Sequence, residues 1–328
     1  MGMVLVTGAA GFLGRTLVPE LSRRGYDVRA LVRDVAPPAF PQSVHIVRGD
    51  IRDAGLAAVA VAGCENIVHL AGKAHALDDD EVHEAEYQSI NIEGTKRLLE
   101  AATVSGVRRF LFASSVKVFG ETTSGCVDET IAAAPRTPYA RSKWEAEQLV
   151  STFAKQGSFA TVSLRLPLVY GPTHKGNLYR MVAAIDRGWF PPIPRVATVK
   201  SMLHAKNFVR AVLATLAPSE FAQPMYVATD ARPYSVTYIY DRLRNELGYG
   251  QPTWRVPLWA LSFGARCGDI LQRCLSKPIP LTSATFEKLM GEAWYSPAAL
   301  IHDTAFRPLE DFQAAVPELV RYYRSTCS

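Results

Sequence analysis

Ser115, Tyr139 and Lys143 are the residues of this chain best placed to move a proton. Tyr139 and Lys143 stand four apart in the run from Thr137 to Lys143, where Thr137 reads as a helix N-cap and Pro138 as the first helical position. Their side chains therefore lie one turn apart on one helical face. A phenol with an ordinary pKa of about 10 is a poor base near neutrality. An ammonium beside it stabilises the phenolate and draws that value towards the working pH. Ser115 follows the apolar run Arg109 to Ala113, so its hydroxyl can hold a substrate oxygen at a strand end. Together the three can move a proton on or off a carbinol oxygen. A tyrosine and a lysine at this spacing are common by chance, and the combination carries the argument.

The elements that must position this group start at Val4-Leu5-Val6, a short buried strand. Gly8, Gly11 and Gly14 follow, and a helix is expected from about Arg15 to Arg24. Such glycines let backbone approach a pyrophosphate, whose charge sits at the amide-rich end of the next helix. Further strands are expected at Asp27 to Val32, His45 to Val47, Asn66 to Leu70, Arg109 to Ala113 and Thr161 to Leu166. They alternate with helices, including an amphipathic one from about Glu84 to Ser105. This alternation predicts a Rossmann α/β fold, a doubly wound parallel sheet, over residues 1–171. Beyond Pro172 the pattern loosens, which predicts a smaller C-terminal substrate domain over 172–328, with about 201–240 returning to the first domain.

Within this frame, strand two closes on Val32-Arg33 where an acidic residue usually accepts the adenosine ribose. A guanidinium suits a 2′-phosphate, and Arg15 stands near it in sequence logic, which favours NADP(H). Asp34, one residue on, would restore the acid and keeps NAD(H) in play. Asp50 can receive an adenine amino group, while Asp53 reads as a helix N-cap. Leu70, Ala71 and Gly72 form a strand end small enough for a cofactor to pass. Asn91 either bridges backbone in the core or touches the cofactor.

The 328 residues are 48% apolar and 20% charged, with a net charge of +5 and no Lys/Arg run of five, so nucleic acid is not an expected partner. Five scattered cysteines without C-x-x-C spacing read as reduced thiols of a cytoplasmic protein. The stretch Val256 to Leu275 contains Arg266, Asp269 and Arg273, so it reads as an amphipathic helix rather than an integral membrane segment, with peripheral membrane contact left open. His75 and His83 around Asp78 to Glu81 lack regular ligand spacing and read as a solvated loop, with no metal.

With these motifs in hand the chain resembles an extended short-chain dehydrogenase/reductase of the NAD-dependent epimerase/dehydratase family, whose members act on nucleotide sugars. The resemblance runs from Thr7 to about Asn207 through the glycine turn, Gly49-Asp50-Ile51, His69 to Gly72, Asn91 to Thr95, Ser114-Ser115, Tyr139 with Lys143, and Leu166 to Pro172. It implies that Ser115, Tyr139 and Lys143 are catalytic. It also implies that Gly8, Gly11, Phe12, Leu13, Gly14, Asp50, Ile51, Leu70, Ala71, Asn91 and Pro167 line the cofactor. The family's 4,6-dehydratases carry Asp-Glu where this chain has Val116-Lys117, and its 4-epimerases carry Asn where Leu168 stands. Asn177 matches a position that touches the nucleotide, and Lys200 replaces a phosphate-binding arginine without its bidentate fork. The segments from Ser115 and from Tyr139 are most similar to a bacterial surface-polysaccharide subgroup. The implied activity is reduction of the 4-keto group of a UDP-4-keto-6-deoxy-hexosamine. The alternatives are a UDP-hexose 4-epimerase with retained NAD, a reductase of a small aldehyde, flavonoid or steroid, and an inactive cofactor sensor. Relatives pair through two long helices, here about Glu84 to Ser105 and Pro138 to Gln156, which implies a homodimer.

Overall fold

Apolar runs such as Met-Val-Leu-Val-Thr at Met3–Thr7 alternate with amphipathic helices from the first residues onward. The computed structural model describes residues 2–33, 39–73, 84–157, 159–174, 176–218, 220–275, 279 and 281–327. The first half contains β1 (Met3–Thr7), α1 (Phe12–Arg23), β2 (Asp27–Val32), β3 (His45–Arg48), α2 (Ala54–Val61) and β4 (Asn66–His69). It continues with α3 (Glu84–Tyr87), a π-helical segment (Gln88–Glu93), α4 (Gly94–Val104), β5 (Arg109–Ser115), β6 (Cys126–Val127), α5 (Pro138–Lys155) and β7 (Ala160–Leu166). The second half contains β8 (Leu168–Tyr170), α6 (Asn177–Asp186), β9 (Val199–Lys200), β10 (Met202–His204), α7 (Ala205–Leu216), β11 (Met225–Val227), β12 (Tyr234–Ser235) and α8 (Val236–Glu246). It ends with α9 (Leu258–Leu275), α10 (Ser283–Met290), β13 (Trp294–Tyr295), α11 (Ala298–Asp303) and α12 (Phe312–Cys327).

Seven strands form one sheet in the order β3-β2-β1-β4-β5-β7-β11, with every pair parallel. Strand residues alternate between its two faces. Val4 and Val6 pack with Leu17, Leu21 and Phe208 beneath α1 and α7, whereas Leu5 packs with Val61, Leu98 and Val150 beneath α2, α4 and α5. The strand order reverses between β1 and β4, and a doubly wound sheet opens its crevice at the carboxyl ends there. Thr7 and His69 end β1 and β4 in direct register, and Ser115 ends β5 opposite Leu166.

A smaller lobe buries Val182, Ile185, Ile239, Leu243, Val316 and Val320 between α6, α8 and α12. Asp230 ties it to the sheet. Its carboxylate accepts from Tyr170 Oη and from His204 N and Asn207 Nδ2, each at 2.8 Å. Burial raises the Asp230 pKa to about 6. Among the described residues no helix is long and apolar enough to cross a membrane.

Two helices differ from expectation. α1 begins at Phe12 rather than Arg15, because Gly11 is extended and its carbonyl already accepts the Arg15 N–H at 2.9 Å. The helix expected from Glu84 to Ser105 is interrupted by the π-helical segment, a local widening often found at functional sites.

Candidate active site

Thr137 caps α5 by accepting the Ala140 N–H at 3.2 Å, and Pro138 opens its first turn. Tyr139 is half-buried, with its ring 5.8 Å from that of Tyr87. One turn later Lys143 is buried, donates from Nζ to the Ala113 carbonyl at 2.8 Å and lies 4.6 Å from the centre of the Phe112 ring. Burial lowers its pKa to about 8, against the opposing pull of Glu147. Glu147, a further turn along, pairs with Arg165 of β7 at 2.7 Å, and both side chains are buried. Ser115 is the last residue of β5, two residues beyond the expected strand end, and its Oγ accepts the Lys117 N–H at 3.2 Å.

The glycine turn lies against the end of β4. Gly8 has φ of +64°, and a Cβ there would stand 2.7 Å from the Ala71 nitrogen, so both conformation and space demand glycine. A Cβ on Gly14 would stand 2.5 Å from Ala9. The first turn of α1 has no acidic residue and no side-chain cap, so its amides remain available to an anion. Beside it, a Cβ on Gly72 would lie 3.5 Å from Lys143 Nζ and 3.0 Å from Asn91 Oδ1. Gly8, Ala71, Gly72, Asn91 and Lys143 therefore meet in one place.

A buried chain of hydrogen bonds fixes this meeting point. Thr7 Oγ1 accepts the Leu70 and Ala71 amides at 3.2 and 3.1 Å and lies 2.7 Å from His69 Nδ1. His69 Nε2 lies 2.9 Å from Thr95 Oγ1, which donates to the Asn91 carbonyl at 2.6 Å. A threonine has one hydroxyl proton. Thr95 uses its proton on Asn91, so His69 must donate from Nε2, and its bare Nδ1 must accept from Thr7. Burial, with Lys143 adding to it, lowers the His69 pKa to about 3 and keeps the ring neutral. The Asn91 side chain bridges backbone: its Oδ1 accepts from Lys73 N at 2.7 Å, and its Nδ2 donates to Lys73 O and to Ser142 Oγ at 3.2 and 2.9 Å. Sequence reasoning missed this chain. Its available signal was a threonine and a histidine closing two otherwise apolar strands.

Residues 4–227 match the model of the NAD dependent epimerase/dehydratase family. The chain belongs to that family. The UDP-glucose 4-epimerase of Vibrio cholerae is 31% identical over 280 residues, 82% of this chain and 84% of that protein. The N-acetyl-alpha-D-glucosaminyl-diphospho-ditrans,octacis-undecaprenol 4-epimerase of Escherichia coli O157:H7 is 25% identical, over 92% of this chain and 89% of that protein. In fold, the UDP-glucose 4-epimerase of Thermotoga maritima superposes with a TM-score of 0.78 over 99% of this chain and 100% of that one, at 20% identity. As a member of this family the chain is an enzyme of the short-chain oxidoreductase/epimerase type and uses a nicotinamide cofactor.

The other expected residues of this family member differ in burial. Ile51 is buried against Gly94, Leu70 and Ala71 are partly buried, and Pro167 is buried after β7. Phe12 reaches towards Gly171, and Leu13 packs on the sheet core. Arg33 is exposed at the end of β2, while Asp34 and the segment holding His75 and His83 lie outside the described residues. Arg15 folds back, donating from Nε to the Ala10 carbonyl at 2.8 Å. Asp53 is the cap of α2, accepting the Gly55 and Leu56 amides. Asp50 is held by Arg52 through contacts of 2.7 and 2.9 Å, and this pairing holds its carboxyl below the usual range.

Two residues expected to meet the substrate sit apart in character. Asn177 is exposed at the start of α6, on the rim of a cleft with Tyr170, Thr173 and Tyr322. Lys200, expected to neutralise a diphosphate, is half-buried beside α10. Its ammonium donates to the Lys288 carbonyl at 3.0 Å and to the Gly291 carbonyl, at the negative end of α10. Burial, reinforced by Lys117, lowers its pKa to about 8. Lys117 itself pairs with Glu121 at 2.6 Å.

Proposed function

We propose that this enzyme reduces the 4-keto group of a UDP-linked 4-keto-6-deoxy-hexosamine, with NADP(H) as the favoured cofactor. The observation that carries the reading is the buried Lys143 ammonium, one helical turn from Tyr139 and adjoining the Gly72 backbone. The space forbidden to a Cβ at Gly8 and the uncapped start of α1 fit a dinucleotide diphosphate. Gly8, Gly11, Gly14, Ala71 and Gly72 would hold the cofactor, with Arg33 towards its ribose end. When bound, the nicotinamide supplies the two-electron chemistry.

The chain's own part is the proton. The Tyr139 hydroxyl donates to the substrate oxygen as it gains charge, Ser115 donates a hydrogen bond to that oxygen, and Lys143 balances the phenolate left behind. Asn177 would contact the nucleotide. Val116 and Lys117 place no carboxylate beside Ser115, which argues against elimination of water. We also propose a homodimer packed through the helices of residues 84–104 and α5, testable by sedimentation velocity.

The names of the Vibrio and Escherichia relatives favour a second reading, 4-epimerisation with retained NAD. Purified enzyme mixed with a UDP-4-keto-6-deoxy-N-acetylhexosamine and NADPH should consume one NADPH per product, followed by absorbance. Co-purified NAD and interconversion of UDP-hexoses without net cofactor change would overturn reduction in favour of epimerisation.

A further inference from the structure

The helix α9 turns a large apolar stripe away from the protein. Of its eighteen residues only Ala265 and Gly268 are buried, and Gly268 lies so close to Leu281 that a Cβ would overlap the Leu281 carbonyl. That contact, with Leu261 packed on the smaller lobe's core, defines the inner face. On the opposite face Trp259 is 73%, Phe263 65% and Ile270 60% exposed. At 100° per residue these three fall within a sector of about 40°. Arg266 and Arg273, one heptad apart, border the same sector and are exposed. Trp254, just before the helix, is 60% exposed.

The charges decide what covers this stripe. Among the described residues neither arginine has an ion-pair partner. The only acid of the helix, Asp269, lies towards the inner face and accepts the Ser283 N–H at 3.0 Å. A second copy laid antiparallel on the stripe would set Arg266 against Arg273, with Asp269, which the Ser283 amide holds and which also attracts Arg273, as the only carboxylate of each helix. Like charges at that separation oppose pairing. A negatively charged lipid surface meets both requirements, since it buries the tryptophan, phenylalanine and isoleucine at the headgroup boundary and pairs the arginines with phosphates.

We propose that α9 is a membrane-surface helix, lying in the plane of an anionic bilayer with Trp259, Phe263 and Ile270 in the interface and Arg266 and Arg273 over the headgroups. This proposal does not rest on the reaction assigned above. It concerns a face remote in sequence from Tyr139 and Lys143, and α10, which packs against α9, links that face to the lobe that carries Lys200.

The test is co-sedimentation of the full chain with vesicles of equal parts phosphatidylglycerol and phosphatidylcholine, and with phosphatidylcholine alone. Binding should be much stronger to the first and should weaken with salt. The double variant Arg266→Gln/Arg273→Gln should lose about 30-fold in partitioning to the anionic vesicles, at about fivefold per arginine. Trp259→Ser/Phe263→Ser should lose about tenfold per aromatic residue on both compositions. Brominated lipids should quench the parent fluorescence more than that of Trp259→Phe. Because these side chains are exposed, the variants should unfold at the parent temperature. Failure of the parent to bind anionic vesicles overturns the proposal. So does equal binding to both compositions, or a concentration-dependent dimer abolished by Trp259→Ser/Phe263→Ser.

Discussion

Replacing Glu147 by glutamine should destabilise the protein severely and also move its pH profile. Glu147 holds the Arg165 guanidinium through contacts of 3.0 and 2.7 Å, with both side chains about 5% exposed, and the guanidinium lies 4.4 Å from the centre of the Phe119 ring. Arg165 Nη1 already lacks a hydrogen-bond partner. Glutamine leaves a buried cation uncompensated, which costs about 3–5 kcal/mol. At about 2 °C per kcal/mol for a chain of this size, Tm should fall by about 6–10 °C. The double variant Glu147→Leu/Arg165→Met removes both charges and keeps apolar volume, so it should recover most of that loss, giving a coupling of about 3 kcal/mol. Glu147 also holds the Lys143 pKa up, so Glu147→Gln should shift any activity limb set by Lys143 to lower pH. Urea unfolding of the parent, Glu147→Leu, Arg165→Met and the double variant gives the cycle. A single-variant cost below about 1 kcal/mol, or additive costs, would refute the claim that this pair is a desolvated, mutually dependent unit.

Tyr139→Phe should lower kcat by about 10²–10⁴-fold with Tm little changed, read by steady-state rates and calorimetry. Lys143 has a folded pKa of about 8, below its usual value near 10.5, so its charge fades as pH rises through 8. The kcat/KM for reduction should fall above that point, while the stability cost of burying the ammonium, full below pH 8, is relieved between there and 10.5. Thr7→Val breaks the His69 chain and should weaken cofactor binding, whereas Thr7→Ser should restore it; equal affinities would remove the chain's positioning role. Nitrogen NMR should find His69 neutral with its proton on Nε2 down to about pH 3. Acidification from about 6.5 to 3 then protonates only the unfolded chain at this site, so its contribution to stability declines over that interval.

Local signals were the readable ones. The Tyr139–Lys143 spacing, the Thr137-Pro138 helix start and the Gly8 turn each depend on a few consecutive residues, and each element formed where those residues indicated. The π-helical segment carries no period of its own to read, so the helix from Glu84 looked continuous although Asn91 sits in its wider turn. The His69 chain depends on the register of Thr7 against His69 across 62 residues, and Lys200 is captured by carbonyls 88 and 91 residues away. Neither contact exists until the fold does. The Asp50–Arg52 pair is local by contrast, since the two residues stand two apart in the sequence.

The seventh strand comes late. β7 acquires its outer neighbour only when Met225–Val227 arrives, and Leu300 and Phe306 complete the hydrophobic layer beside α1 and α7 later still. A nascent polypeptide that has reached Gly171 therefore exposes the bare border of β7, with amide and carbonyl groups ready to accept any foreign strand. A chain cut at residue 171 would lack β11 and present the longer β7 as the sheet border in its place.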